Sequence, residues 1–296
     1  MRILVTGTEG QVARSLAERA PSHGVTVQLL GRPHLDLAAG KAVRDMVRQA
    51  GADVVVNAAA YTAVDQAESE PEIAMAVNGA GAGYVAEAAA LMNVPVIQLS
   101  TDYVFDGMSG RPYREEDSVA PAGSYGRSKL AGEEAAAAAT PNHVILRTAW
   151  VYSPFGKNFV KTMLRLAADR EEVGVVADQH GSPTSALDIA DGLIAVCRNL
   201  VERPEDRGLR GIFHMAGAGY TTWADFAAFV FERSEALGGP SARVKAISTA
   251  DYPTPAKRPA NSRLDCAKLA ERHGVSLPSW RSSTEQCVGR LLAAAT

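Results

Sequence analysis

The chain has 296 residues, of which 47% are hydrophobic and 21% charged, and its formal net charge at pH 7 is -3. This composition excludes extensive disorder, and the length suits one ligand-binding domain with a modest second lobe. A charge so near zero gives no electrostatic reason for a nucleic-acid or anionic-membrane partner, so the expected partner is a small molecule.

Met1 leads directly into the apolar run Ile3-Leu4-Val5, without the basic, apolar and small-residue regions of a secretory signal. The other apolar stretches are too short or too charged to cross a bilayer, and a cytoplasmic location is expected. Cys197, Cys266 and Cys287 are odd in number and far apart, which predicts reduced thiols and no disulfide framework or zinc site. The histidines show no His-x-x-x-His spacing, so no catalytic metal is expected.

Runs rich in Val and Ile predict strands at Ile3 to Thr6, Val25 to Leu30, Asp53 to Ala58, Val94 to Ser100 and Val144 to Thr148, with Ala-rich helical stretches between them. Strands that are almost continuously apolar and alternate with helices predict an α/β fold. Its core is a doubly wound parallel sheet of Rossmann type, because each parallel pair needs a crossover and each crossover supplies a covering helix. Further on, a helix is predicted near 158 to 170, a strand near 173 to 177, a helix near 187 to 200 and a strand at 212 to 215. The Pro-rich segment from Tyr252 to Pro259 reads as an extended loop. In such sheets ligands bind beyond the carboxyl ends of the strands, where the informative residues should lie.

The first strand ends in Thr6-Gly7-Thr8-Glu9-Gly10-Gln11-Val12-Ala13, a glycine turn that opens a helix. Gly7 and Gly10 would let the backbone approach a pyrophosphate, and the amides and positive dipole end of the helix at Gln11 and Val12 favour that anion. Ala13 stands where a third glycine is usual, a place that close helix-strand packing tolerates. The second strand ends Leu29-Leu30-Gly31-Arg32, with no acidic residue for ribose hydroxyls. Arg32 could instead pair a 2'-phosphate, which points to NADPH, with NADH still possible. Asp36, in Leu35-Asp36-Leu37, would contact the adenine beside Leu37 or cap the helix that begins near Gly40. The third strand ends Asn57-Ala58-Ala59-Ala60, and Ala58 and Ala60 are small enough for a cofactor to lie across the sheet edge.

Residues 1–152 are thus expected to form the dinucleotide-binding domain, with returns from about 178–215. Residues 153–296 would mostly form a smaller, discontinuous substrate-binding lobe.

Tyr125 and Lys129, in Tyr125-Gly126-Arg127-Ser128-Lys129, are four apart and share one helical face. An ammonium there would lower the Tyr125 pKa toward neutrality and let the phenol exchange a proton with a carbonyl oxygen. The fourth strand ends Leu99-Ser100-Thr101-Asp102-Tyr103-Val104-Phe105-Asp106-Gly107. Its hydroxyls at the sheet's carboxyl edge could hydrogen-bond the same oxygen, Thr101 being the choice and Ser100 its competitor.

These residues resemble the extended short-chain dehydrogenase/reductases and, within them, the dTDP-4-dehydrorhamnose reductases. The likeness spans nearly the whole chain, through Gly7 to Val12, Asn57 to Glu68, Ser100 to Gly107, Tyr125 with Lys129, Arg147-Thr148-Ala149-Trp150-Val151-Tyr152 and Asp178 to Thr184. The resemblance implies reduction of dTDP-4-dehydro-6-deoxy-L-mannose to dTDP-L-rhamnose, with Tyr125 as proton donor and Lys129 on the nicotinamide ribose. Thr101 and Asp102 would contact the sugar, Trp150 would pack on the substrate, and Tyr61 and Thr62 would join the cofactor site. Some members hold an interface magnesium ion through glutamates, one of which falls near Ser15. Serine is a poor ligand, so neither that ion nor that dimer is expected, and a homodimer of another kind stays open.

Related 4,6-dehydratases carry a glutamate after the aspartate that follows the threonine, but here Asp102 is followed by Tyr103. That favours reduction over elimination. A reductase or epimerase of another nucleotide keto-sugar, or a binding-only role like that of the similar regulatory subunit of methionine adenosyltransferase, are the remaining alternatives.

Overall fold

The computed structural model describes residues 1–294. Five strands come first: β1 (Arg2–Thr6), β2 (Thr26–Leu30), β3 (Val54–Asn57), β4 (Val96–Thr101) and β5 (His143–Thr148). Then follow β6 (Val151–Tyr152), β7 (Glu172–Val176), β8 (His180–Gly181), β9 (Thr184–Ser185), β10 (Gly211–His214), β11 (Thr221–Thr222) and β12 (Arg243–Ile247). The helices are α1 (Gln11–Arg19), α2 (Ala42–Ala50), α3 (Pro71–Met75), α4 (Gly81–Met92), α5 (Ser124–Ala139), α6 (Phe159–Asp169), α7 (Ala186–Glu202), α8 (Trp223–Ala236), α9 (Ala267–His273) and α10 (Trp280–Ala293). The predicted strands and helices all form, with ends that move by a residue or two.

β10, β5, β4, β3, β1 and β2 lie side by side in that order, and every pairing is parallel. Alternation along the strands explains the layers. Ile3, Val5, Val54 and Val56 face a core with α1 and α7, while Leu4 and Val55 face a second core with α2 and α4. Both faces must therefore be apolar, which is why β3 and β4 are buried at every position. The strand order reverses between β1 and β3. Their carboxyl ends consequently diverge into a crevice, the place where open parallel sheets bind ligands.

A separate core forms where the chain leaves the sheet. Tyr152, Val160, Phe226, Phe231, Trp280 and Cys287 meet there, drawn from β6, α6, α8 and α10. The chain visits this core, returns through α7 and β10 to cover and extend the sheet, and then visits it again. No strand or helix forms between Tyr252 and Pro259, and that segment runs as a loop past the carboxyl end of the sheet. All three cysteines are free.

Candidate active site

The turn after β1 is shaped by two glycines that meet. Gly7 has φ 91° and donates its N–H to the Leu30 carbonyl at 2.7 Å. A Cβ on Gly31 would lie 3.0 Å from both Gly7 Cα and Thr8 N, so the end of β2 closes on the turn only without a side chain. Gly10 is extended, a Cβ there would meet nothing within 4 Å, and no side chain caps α1. The first amides of α1, at Gln11 and Val12, are therefore left to an anion. The Gln11 side chain does something else. Its Oε1 accepts from Ser153 Oγ at 2.7 Å and Asn158 Nδ2 at 3.0 Å, and so ties the turn to the segment after β6.

Arg32 is exposed at the crevice side of β2. Asp36 accepts from the Ala38 N–H at 2.9 Å in a tight local turn. It does not cap α2, which begins at Ala42 behind Lys41, so the capping alternative is corrected: its carboxylate is spent four residues too early. Leu37 is buried between α2 and α4 with Val43 and Val47, and its side chain is core.

At the end of β3, Thr6 Oγ1 donates to Asn57 Oδ1 at 2.5 Å, and Asn57 Nδ2 donates to Gln98 Oε1 at 2.6 Å. This buried chain joins the tips of β1 and β3 to the middle of β4, and Thr6 Oγ1 also accepts from Ala59 N at 3.1 Å. Ala58 and Ala60 are half-buried along it. The Tyr61 backbone is clasped by Asn78, which accepts from Tyr61 N at 2.8 Å and donates to Tyr61 O at 3.0 Å. The Tyr61 hydroxyl turns away to Glu70, and Thr62 is exposed.

Asn78 was not singled out in the sequence. It sits in a π-helical turn, Ala76–Ala80, between α3 and α4, and its Nδ2 also donates to Ser128 Oγ at 2.9 Å on α5. Such turns aim side chains that a regular helix would not.

α5 brings Tyr125 and Lys129 to the tip of β4. Its N-terminus is held by Glu68, whose Oε1 accepts from Ser124 N at 2.7 Å, a carboxylate on the positive end of a helix. Lys129 is 4% exposed, and its Nζ donates to the Leu99 carbonyl at 2.6 Å. Burial depresses the ammonium to about 8, against an opposing pull from Glu133. Tyr125 was expected to be lowered by that ammonium. Instead burial and the nearby Asp102 push its phenol well above the ordinary tyrosine value, with the Thr101 hydroxyl pulling the other way. The physical reason is first that the phenol is buried, where its charged form is disfavoured, and second that the Asp102 carboxylate stands near it, while Lys129 gives its proton to a β4 carbonyl.

Thr101 Oγ1 donates to Asp102 Oδ1 at 2.9 Å. Ser100, its competitor, gives its hydroxyl to buried Glu133 at 2.5 Å and is committed to the interior. Asp102 is buried, its Oδ2 has no hydrogen-bond partner, and burial raises its carboxyl from 3.8 to about 6 against the Ser262 and Thr101 hydroxyls. Tyr103 stands edge-on to Tyr125, with ring centroids 5.5 Å apart. A phenol, not a second carboxylate, thus adjoins Tyr125.

Trp150 has φ 49° and stacks on Trp223 at 3.5 Å and 10°. Gly181 fits under its indole, where a Cβ would lie 2.2 Å from the ring. Trp150 is half-buried, packed on one part of its surface by Trp223 and Gly181. Arg258 donates to Asp65 Oδ2 at 2.6 Å and to Tyr103 Oη at 3.3 Å, and Ala256 N donates to Asp65 Oδ1 at 3.2 Å. The Pro-rich loop is thereby latched beside Tyr125. Ser15 is buried, and its hydroxyl bonds back to the Gln11 carbonyl at 2.8 Å.

With this geometry in place, the comparisons decide the family. A family model described as "RmlD substrate binding domain" matches residues 1–293. The chain belongs to this family. It is 52% identical over 292 residues to a dTDP-4-dehydrorhamnose reductase of Sinorhizobium fredii, covering 99% of this chain and 98% of the relative. A solved dTDP-4-dehydrorhamnose reductase from Clostridium acetobutylicum superposes with a TM-score of 0.89 at 35% identity, covering 99% and 100% of the two chains. A Bacillus anthracis dTDP-4-dehydrorhamnose reductase, solved in complex with NADP, gives 0.87 at 32% identity, covering 98% of this chain and 99% of that one. Among the described residues, no helix is long and apolar enough to cross a membrane.

Proposed function

We propose that this chain reduces the 4-keto group of dTDP-4-dehydro-6-deoxy-L-mannose, yielding dTDP-L-rhamnose, with NADPH as reductant. The observation that carries the reading is the convergence of Thr101, Tyr125 and Lys129 at the carboxyl end of β4, across the crevice from an uncapped α1. The open backbone at Gly10 fits a dinucleotide pyrophosphate, which Gly7, Gly10, Gln11 and Val12 would hold. Arg32 would pair the 2'-phosphate, and Asp36, Leu37, Ala58, Ala60, Tyr61 and Thr62 would border the rest of the cofactor.

Bound NADPH supplies the hydride. Tyr125 supplies the proton: its pKa is raised, so it stays a neutral phenol across the physiological range and is in the form that donates. In the structure the single Thr101 hydroxyl proton goes to Asp102 Oδ1, and on substrate binding it would turn from Asp102 to the same carbonyl oxygen. Lys129 would hold the nicotinamide ribose. Trp150 offers the sugar the part of its indole that Trp223 leaves free. Tyr103 in place of a carboxylate leaves no base for dehydration, which supports plain reduction.

Residues 1–152 with the returns at about 178–215 would be the dinucleotide-binding part and the remainder the substrate lobe, working in the cytoplasm on a free nucleotide sugar. Ser15 offers no carboxylate, so any homodimer would form without an ion at that position.

The test follows NADPH absorbance while the purified protein meets the keto-sugar, generated in place by the preceding dehydratase and epimerase, with NADH run in parallel. Wild type should oxidise NADPH stoichiometrically with product. Tyr125→Phe should bind NADPH normally and lose about 10²- to 10⁴-fold in kcat. Binding of NADPH without consumption would move an epimerase cycle or a regulatory role ahead.

A further inference from the structure

One turn beyond Lys129, α5 carries Glu133, which is 3% exposed. Its Oε1 accepts from Arg147 Nε at 2.9 Å and its Oε2 from Arg147 Nη2 at 2.6 Å, while Oε1 also takes the Ser100 hydroxyl. Arg147 is 2% exposed, lies on β5 directly opposite Ser100, and stacks over the Phe105 ring at 5.0 Å. The residues that follow this pair along the strands are Thr101 and Thr148.

A buried ion pair is an expensive way to hold a helix on a sheet, because apolar groups of similar volume commonly do as well. Its advantage is fixed geometry: a two-point carboxylate-guanidinium contact defines the position of one element along another. Here one carboxylate sets α5 against both strands, one residue before Thr101 and four residues after Lys129.

We propose that Glu133, held by Arg147 and Ser100, is a positioning residue for the reduction: it fixes the depth of α5, and with it the place of Lys129, against β4. The proposal rests on the reductase reading for its kinetic consequences. The groups that face this carboxylate are Arg147 from β5, Ser100 from β4 and Lys129 from its own helix, with His214 of β10 beyond the guanidinium. Burial alone depresses Lys129, and the charge that counters it is Glu133's. Without that charge Lys129 would lose its proton at lower pH, so the alkaline fall in activity would come earlier.

The direct variant is Glu133→Gln. Its amide nitrogen would confront Arg147, so a double variant, Glu133→Leu with Arg147→Met, is made alongside to remove both charges while keeping the volume. In a variant that folds, kcat should drop at least about tenfold, with NADPH Kd within threefold of wild type, and in Glu133→Gln, which keeps the Arg147 cation, the alkaline limb of the kcat–pH profile should move to lower pH. A folded double variant with wild-type kcat overturns the proposal. If wild type oxidises no NADPH, the reductase reading fails on its own. The Lys129 ammonium, followed by lysine-Nζ NMR with Lys129→Arg for assignment, then decides: a lower titration midpoint in Glu133→Gln sustains the role of Glu133, and an unchanged one removes it.

Discussion

Asp102 is the residue whose surroundings work hardest against its charge. Its carboxyl is raised from 3.8 to about 6 by burial, so the folded state prefers it protonated. No penalty exists below the unfolded value, where both states are neutral. The penalty grows as pH rises from the unfolded to the folded pKa and is complete above about 6. Asp102→Asn should therefore raise the thermal midpoint at pH 8, by an amount equivalent to at most about 3 kcal/mol, and make no difference at pH 3. Thermal melts of both proteins across that range check the sign. An enzyme that keeps such a group at a cost in stability is using it, and a carboxylate beside Thr101 is well placed to orient the hydroxyl. Tyr125 and Lys129 were legible in the sequence because a spacing of four on a helix dictates a shared face. The partner of Lys129 was not legible, since a backbone carbonyl on β4 leaves no mark in side-chain pattern. The direction of the Tyr125 shift was missed because the burial that dominates it is set by the tertiary packing around the phenol.

At the level of elements, α5 works because it comes unusually close to its neighbours. A Cβ on Gly132 would lie 2.1 Å from the Asn78 carbonyl, and one on Gly126 would lie 2.2 Å from the Tyr103 carbonyl. Helix propensity alone says that Gly132→Ala should stabilise the protein by about 1 kcal/mol. The contact with the π-helical turn reverses this, and we expect a loss of about 1–3 kcal/mol by chemical denaturation, with lower kcat as Ser128 and Asn78 are pushed apart. Two glycines inside a helix were visible in the sequence and are the trace of that approach. The π-helical turn was not visible, because it arises from what Asn78 must reach on both sides rather than from local preference. The strands of the central sheet, by contrast, were read to within two residues from their β-branched apolar runs, whereas β12 and the two-residue strands β6, β8, β9 and β11 were not predicted.

On the scale of the molecule, the site is assembled from segments as distant as Asp65 and Arg258, whose ion pair latches the loop of residues 252 to 259 beside Tyr125. Both side chains are partly solvated, so the latch is worth little to global stability. Its effect should be local. Asp65→Ala should speed amide hydrogen exchange in that loop by up to about fivefold, seen by mass spectrometry, and raise KM for the nucleotide sugar while leaving NADPH affinity alone. The sequence marked the loop by its prolines, but nothing local joins two residues so far apart.

The order of the sheet also has a consequence for how the chain is made. Five of its strands are complete by Thr148, yet β5 finds its outer neighbour only with Gly211–His214, after residues 149 to 210 have been synthesised. A nascent chain emerging from the ribosome therefore presents an apolar, unpaired strand edge for the whole of that interval, the kind of surface that recruits a wrong partner. The protein is most exposed to aggregation while it is being translated, and a pause or truncation between these two strands would be more damaging than one near the C-terminus.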